Sequence, residues 1–150
     1  MRRVVFVLSL VALAAGGIVT AGADSGRSPL SGPIPGFVER VVDGDTLRVR
    51  ARIWLRQELV TDVRLRGVDT PELHGRCPEE RQRARDARDF VVERVGGREV
   101  WLRDLSEDKY GGRIVARLST RDGADLGAAL LERGLAHVYG GGRRDGWCPK

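Results

Sequence analysis

Apolar and polar residues alternate in five segments of the chain, which is the pattern of β-strands with one buried face. The predicted strands cover residues 37–42, 46–55, 59–67, 99–104 and 113–119. An Asp-Gly turn joins the first two and a short polar turn joins the second to the third, so these three strands are predicted to form an antiparallel meander.

Two other segments have helical periodicity. In the longer one, Pro78 and two acids provide a helix start and a Gly-Gly pair at 96–97 provides the stop. Its apolar face consists of Ala84, Ala87, Val91 and Val95. A second, short helix is predicted over residues 125–133. Together these elements predict an α+β, mainly β fold, a five-stranded OB-type barrel with two or three helices packed outside.

Size and charge fit one basic globular domain. The chain has 150 residues, 41% of them hydrophobic, a formal charge of +5 and a pI near 10.0. The positive charge is carried almost wholly by arginine, because Lys109 and Lys150 are the only lysines. Arginine pairs with phosphate through two hydrogen bonds, so this composition favours nucleic acid or another polyanion as a partner.

The first 23 residues have the features of a secretory signal peptide. Arg2 and Arg3 precede an apolar run, and small residues at 21–23 offer a cleavage site. We expect cleavage, with a retained membrane anchor as the alternative. Residues 24–36 are rich in Gly, Ser and Pro and are predicted to be a flexible linker, with the folded domain over 37–150. The mature protein is expected to be a periplasmic or secreted monomer without stable membrane association.

Export would place the two cysteines in an oxidising compartment, where we expect Cys77 and Cys148 to form a disulfide. A zinc site that uses them with His74 and His137 is the alternative. Zinc sites use two closely spaced ligand pairs, and His137 and Cys148 do not form one, so the disulfide is preferred and the histidines are expected to be surface polar groups.

Charged residues gather where the third predicted strand ends. Arg64 lies on that strand, and Asp69 and Glu72 follow it within a Pro-containing turn. A strand holds its side chains rigidly, so a cation and two anions here could form a site for a metal ion and a phosphate. The alternative is a strand that merely ends at a polar turn. Asp45 adds a further acid at the start of the second strand, where β propensity disfavours it.

Four motifs, in order, resemble those of the staphylococcal (micrococcal, thermonuclease) nuclease family. They are Asp-Gly-Asp-Thr at 43–46, Arg-Leu-Arg-Gly-Val-Asp-Thr-Pro-Glu at 64–72, Asp-Lys-Tyr-Gly-Gly-Arg at 108–113 and Gly-Leu-Ala at 134–136. Each motif is weak alone, but their order on a compatible barrel pattern is specific. The third motif has one more residue before its final arginine than the family's type enzyme.

The resemblance implies a metal site and its ligands. Asp45 and Asp69 match two carboxylates that bind a single Ca²⁺, and the backbone carbonyl of Thr70 matches a further ligand. Such an all-oxygen set suits a hard cation. Asp43 matches the first acid of the same turn, which we interpret as a nearby outer carboxylate and not a direct ligand.

The resemblance also implies a reaction, the hydrolysis of DNA and RNA to products with a 3′-phosphate. Glu72 matches the general base that takes a proton from the attacking water, although it could instead position that water. Arg64 and Arg113 match two arginines that bind the scissile phosphate and stabilise its developing charge. Lys109 and Tyr110 are expected to contact the substrate.

Two other functions remain open on the sequence. The chain could be an OB-type module that binds single-stranded nucleic acid without cutting it, or an exported structural protein that keeps only the fold. Three acids facing a polyanion argue against pure binding. In the C-terminal tail, Arg143 and Arg144 are either solvated or in contact with phosphate.

Overall fold

The computed structural model describes residues 30–109 and 111–149. The predicted signal peptide, residues 24–29 of the predicted linker, and Tyr110 therefore lie outside the described residues. The elements are β1 Ile34–Val41, β2 Thr46–Trp54, β3 Gln57–Leu65, β4 Val68–Asp69, α1 Pro78–Val95, β5 Glu99–Glu107, β6 Arg113–Thr120, α2 Leu126–Glu132 and β7 His137–Val138.

Five strands close into a barrel in the order β1-β2-β3-β6-β5. The first three form the predicted antiparallel meander, and β5 pairs antiparallel with both β1 and β6. The contact that closes the barrel between β3 and β6 is parallel. This architecture confirms the predicted OB-type barrel.

The alternating strands supply the core that the pattern predicts, because every second side chain points into the barrel. The fully buried strand residues include Val38, Leu47, Val49, Val63, Leu102 and Leu118. Helix α1 begins at Pro78 and ends before Gly96, as predicted, and it buries one apolar face. Burying a side chain of Val or Leu size contributes about 1.5–3 kcal/mol, so this core is the main source of stability.

The barrel begins earlier than the predicted domain boundary at Phe37. Strand β1 starts at Ile34, which pairs with Leu102 on β5, and Leu30 forms a bridge with Leu105. Residues 34–36 of the predicted linker are therefore part of the sheet, and Leu30 is attached to it by an isolated bridge. The local composition does not reveal this, because the strand partners of the segment lie on β5, more than 60 residues along the chain.

The third strand lies two residues earlier than predicted, since β3 begins at Gln57 and not at Leu59. It ends at Leu65, and Gly67 has a φ of 83°, a left-handed conformation that a side chain would disfavour. After this turn Val68 and Asp69 form β4, which pairs with β7 near the end of the chain. The turn thus ends β3 two residues before the predicted end and carries Asp69 onto a second small sheet.

The C-terminal segment returns to the start of helix α1. Cys148 forms the predicted disulfide with Cys77, the N-cap residue of α1. Trp147, beside it, is buried and stacks on His137 of β7. Within residues 30–109 and 111–149, none of the helices has the length and apolar character needed to cross a membrane.

Candidate functional site

Asp45 lies at the centre of the predicted site and is 3% exposed. The register of β2 and β3, which pairs Thr46 with Arg64, brings Asp45 beside that arginine. Its Oδ2 accepts a 2.9 Å hydrogen bond from the backbone N–H of Thr70, and its Oδ1 accepts one of 3.1 Å from the Thr46 hydroxyl. The side chain of Asp45 is therefore held from both sides.

Arg64 joins the two predicted metal ligands. Its Nη1 donates to Asp45, and its Nη2 donates to Oδ1 of Asp69 across 3.1 Å. Asp69 is itself 3% exposed and fixed by the pairing of β4 with His137 of β7. The sequence predicts that Arg64 faces phosphate, whereas here its guanidinium neutralises two carboxylates.

Burial of these acids shifts their proton affinity. It raises the pKa of Asp69, helped by the charge of Asp45 and opposed by Arg144 and Arg64. Burial and the same Asp45 carboxylate raise the pKa of Asp43 from 3.8 to about 6. The acids thus form a desolvated cluster that favours a nearby positive charge.

The Asp-Gly-Asp turn is packed tightly against the rest of the site. A Cβ on Gly44 would lie 2.8 Å from the Thr70 hydroxyl and 2.9 Å from the Cβ of Ala87 on α1. The backbone N–H of Asp45 also donates to Asp43 across 3.1 Å. Glycine at 44 therefore allows helix α1 and the turn to approach closely, which positions Asp45.

Glu72 lies just beyond these acids and is exposed. Its carboxylate accepts a hydrogen bond from Nη1 of Arg144, and Nε of that arginine lies 3.2 Å from Oδ1 of Asp69. The sequence left the role of Arg144 open. A signal was present, because the predicted disulfide joins Cys148 to Cys77, which follows Glu72 by five positions.

Arg113 reaches the same region from the start of β6. It is paired in register with Asp62 of β3, and its guanidinium contacts Asp108 at 2.6 Å. Arg113 lines one groove together with Arg64, Arg144 and the exposed Lys109. The structure therefore brings both predicted phosphate-binding arginines to one groove, where Arg113 is paired with Asp108. Tyr110, the other predicted substrate contact, is not described.

The donors in this region suit a hard cation better than zinc. Asp45 and Asp69 are adjacent carboxylates that share one guanidinium. In the described part of the chain, three residues of the His, Cys, Asp and Glu types have ligand atoms within 4.8 Å of one another: Cys77, Glu80 and Cys148. The two cysteines are joined in a disulfide, so their sulfurs are not thiolate ligands for zinc. A cation at Asp45 and Asp69 would therefore take its other ligands from backbone oxygen or water.

Comparison with known proteins agrees with the motifs and the fold. Residues 62–145 match the family described as staphylococcal nuclease homologue. A protein of Escherichia coli named as an uncharacterized endonuclease is 29% identical over 110 residues, covering 73% of this chain and 64% of its own. Probable endonuclease LCL3 of Phaeosphaeria nodorum is 35% identical over 80 residues, and that of Saccharomyces cerevisiae is 36% identical over 83.

The match to the fungal proteins covers about half of this chain, 51% and 53%, and 27% and 30% of theirs. The chain thus spans less than two thirds of the length of these relatives. The family match, in contrast, takes in more than half of the chain and includes Arg64, Asp69, Glu72 and Arg113. On this evidence the chain belongs to the staphylococcal nuclease family.

Proposed function

We propose that this protein is a metal-dependent nuclease that hydrolyses phosphodiester bonds in DNA and RNA. The observation that carries the proposal is the contact of one guanidinium, that of Arg64, with both Asp45 and Asp69. Glu72 joins the same cluster through Arg144, which also contacts Asp69. The combination of carboxylates for a cation, a carboxylate for water and arginines for phosphate fits phosphodiester hydrolysis.

The residues present fit a divalent cation. Two buried carboxylates side by side repel each other, and in this structure a guanidinium offsets that repulsion. Asp45 and Asp69 would hold the ion, with the Thr70 backbone carbonyl as the third protein ligand. When bound, the ion would supply a Lewis acid that polarises a phosphoryl oxygen and makes a coordinated water easier to deprotonate.

The side chains around the groove have two roles in the proposed reaction, proton acceptance and phosphate binding. Glu72 is exposed beside the buried aspartates, so its carboxylate can reach an attacking water and accept its proton. Arg64 and Arg113 line the groove from β3 and β6, and each guanidinium offers two parallel N–H groups to a phosphate. Arg64 would leave Asp45 and Asp69 to do so, which a cation at these two carboxylates would favour, and Arg113 would leave Asp108.

The finer features of the proposal rest on the family resemblance. The cation is Ca²⁺, the preferred substrate is single-stranded or frayed, and the products carry a 3′-phosphate. The protein acts after export, in the periplasm or outside the cell, as a monomer. All-oxygen coordination by aspartates and a carbonyl supports Ca²⁺ over softer metals.

The test is cleavage of denatured DNA by the purified exported protein. With millimolar Ca²⁺ we expect short products bearing a 3′-phosphate, and we expect EDTA to abolish the reaction. Glu72→Gln should lower kcat by about 10²–10⁴-fold, the usual contribution of a general base. Glu79→Gln, on the exposed first turn of α1, is the matched control and should leave kcat unchanged.

The same experiment separates the nuclease from a binding module. A gel-shift assay run in parallel reports whether the protein holds DNA. DNA that is shifted but remains intact with Ca²⁺ would replace the nuclease proposal by the binding one. Cleavage unaffected by EDTA would overturn the metal dependence.

A further inference from the structure

Arg144 reaches the candidate site from a part of the chain that the family motifs do not include. It follows Gly140, Gly141 and Gly142 in the C-terminal segment, and its side chain is 44% exposed. Its Nε lies 3.2 Å from Asp69 and its Nη1 donates to Glu72. A residue of the tail is thus in contact with both a predicted metal ligand and the predicted general base.

Two anchors hold this segment in place. Cys148 is bound covalently to Cys77 at the start of helix α1. Trp147 is 8% exposed and stacks on His137, with ring centroids 3.7 Å apart and planes within 3° of parallel. His137 is in turn the strand partner of Asp69. Arg144 is three residues from the stacked ring, so its place beside Asp69 is built into the fold.

Arg144 also faces the groove that we propose for substrate. It lines that groove with Arg64, Arg113 and Lys109. Arg64 and Arg144 share one feature, since each is held by carboxylates of the site and also lines the groove. The side chain is long and partly exposed, so it can turn from the carboxylates to a phosphate without moving the anchored backbone.

The formal charges of the site show why Arg144 would move from the carboxylates to a phosphate. Asp45, Asp69 and Glu72 carry three negative charges, and Arg64 and Arg144 carry two positive ones. A divalent cation at the aspartates changes the sum from one negative to one positive charge, which a phosphodiester group neutralises. Without Arg144 this sum would be lower by one positive charge, and the attraction of the groove for a polyanion would be weaker.

We propose that Arg144 is a substrate-binding residue, a third arginine that binds a backbone phosphate of single-stranded nucleic acid in this groove. The proposal deepens the proposed function and rests on it for the identity of the ligand. The disulfide and the stacked Trp147 position Arg144 beside the groove. In the absence of substrate, Arg144 contacts Asp69 and Glu72.

The test measures binding separately from cleavage. A fluorescent single-stranded oligonucleotide is titrated with Glu72→Gln protein in Ca²⁺ at several salt concentrations. Each phosphate contact contributes about 0.7 to the slope of log Kd against log salt for single strands. Adding Arg144→Gln should lower the slope by about 0.7 and weaken binding roughly tenfold at the lowest salt concentration. Arg144→Lys should keep the slope and bind with intermediate affinity, because it keeps the charge but not the planar fork.

The adjacent Arg143 provides the matched control. It is exposed and carries the same charge on the same segment, so Arg143→Gln should leave the slope nearly unchanged. An equal loss in the two variants would overturn the proposal, since the effect would then reflect net charge alone. An unchanged slope in Arg144→Gln would overturn it as well. Intact protein mass without free thiols in every variant verifies that the disulfide is still formed.

Kinetics with Glu72 intact give the second readout. Arg144→Gln should raise KM roughly tenfold and leave kcat within about twofold of wild type, because the lost contact is made in both the ground and transition states. Faster cleavage and tighter binding by the variant would overturn the proposal. The contact of Arg144 with Glu72 would then be inhibitory. If the wild-type protein does not cleave, the salt slope still tests the phosphate contact while the proposed nuclease fails separately.

Discussion

Arg64 and Asp69 are joined by a 3.1 Å hydrogen bond between Nη2 and Oδ1, and the same guanidinium reaches Asp45. The two carboxylates are each 3% exposed as residues, and Arg64 is a counter-charge that contacts both of them, while Arg144 contacts Asp69 as well. A divalent cation at these carboxylates would serve the same electrostatic purpose. Arg64 and the cation are therefore expected to substitute for each other in stabilising the fold.

The first prediction concerns Arg64→Ala. In EDTA the variant should lose roughly 3 kcal/mol of unfolding free energy, because two buried carboxylates lose their partner. Saturating Ca²⁺ should restore most of this loss, so the stabilisation by Ca²⁺ should be larger in the variant than in the wild type. Urea unfolding with and without Ca²⁺ measures both quantities.

The control for this prediction is Arg48→Ala. Arg48 forms an ion pair with Asp62 across the same two strands, but both side chains are partly exposed. Its loss should cost under about 1 kcal/mol and leave the Ca²⁺ response unchanged. Equal Ca²⁺ stabilisation of wild type and Arg64→Ala would contradict the idea that Arg64 and the cation each offset the charge of Asp45 and Asp69.

A second prediction follows from the raised pKa of Asp43. Between the ordinary value of 3.8 and the folded value of about 6, the folded protein binds more protons than the unfolded chain. The stability of the metal-free protein should therefore fall as pH rises from about 4 to 6, and Asp43 should account for about 1–2 kcal/mol of that fall after allowance for its partial exposure. Asp69, whose pKa is also raised, acts in the same direction.

The contribution of Asp43 is isolated by comparing wild type with Asp43→Asn. Urea unfolding in EDTA between pH 4 and 7 should show a shallower pH dependence in the variant. Asp86→Asn, on the exposed face of α1, should retain the wild-type profile. Parallel profiles for wild type and Asp43→Asn would show that Asp43 is not the group responsible.

Much of the barrel could be predicted because its cause is local. Side chains such as Val49 and Val63 alternate with polar neighbours along single strands, and this period of two is visible without any tertiary information. The start of β1 could not be predicted in the same way. Ile34 follows a Gly-Pro pair, and it joins the sheet because Leu102 of β5, far along the chain, is its strand partner.

The candidate site could likewise be predicted only in part. Asp45 and Arg64 come together because they lie near the ends of two paired strands, which motif and strand pattern together indicate. The partners of each guanidinium could not be read from the sequence, because an arginine side chain has many rotamers of similar energy. The position of Arg144 depends on a disulfide between residues 71 positions apart, and no local pattern encodes that contact.

A third prediction concerns that disulfide. The double variant Cys77→Ser with Cys148→Ser should lose up to about 4 kcal/mol of unfolding free energy, because a long loop in the unfolded chain is no longer closed. Its KM for single-stranded DNA should also rise, as the segment carrying Arg144 is released from one anchor. Reduction of the wild type with dithiothreitol should reproduce both effects, and the absence of any change in stability on reduction would contradict this account.

The last prediction compares two tryptophans. Trp147 is buried against His137, with the Arg83 guanidinium carbon 6.0 Å from its ring centroid, whereas Trp54 at the end of β2 is 70% exposed. Trp147→Ala should therefore lower the unfolding free energy by about 3 kcal/mol, and Trp54→Ala by well under 1 kcal/mol. Trp147→Phe should recover part of the loss, since a smaller ring can still stack on His137. Because His137 is the strand partner of Asp69, Trp147→Ala should also raise the hydrogen-exchange rate of the β4–β7 amides. Equal exchange rates in the two alanine variants would show that the stacked ring does not stabilise these strands.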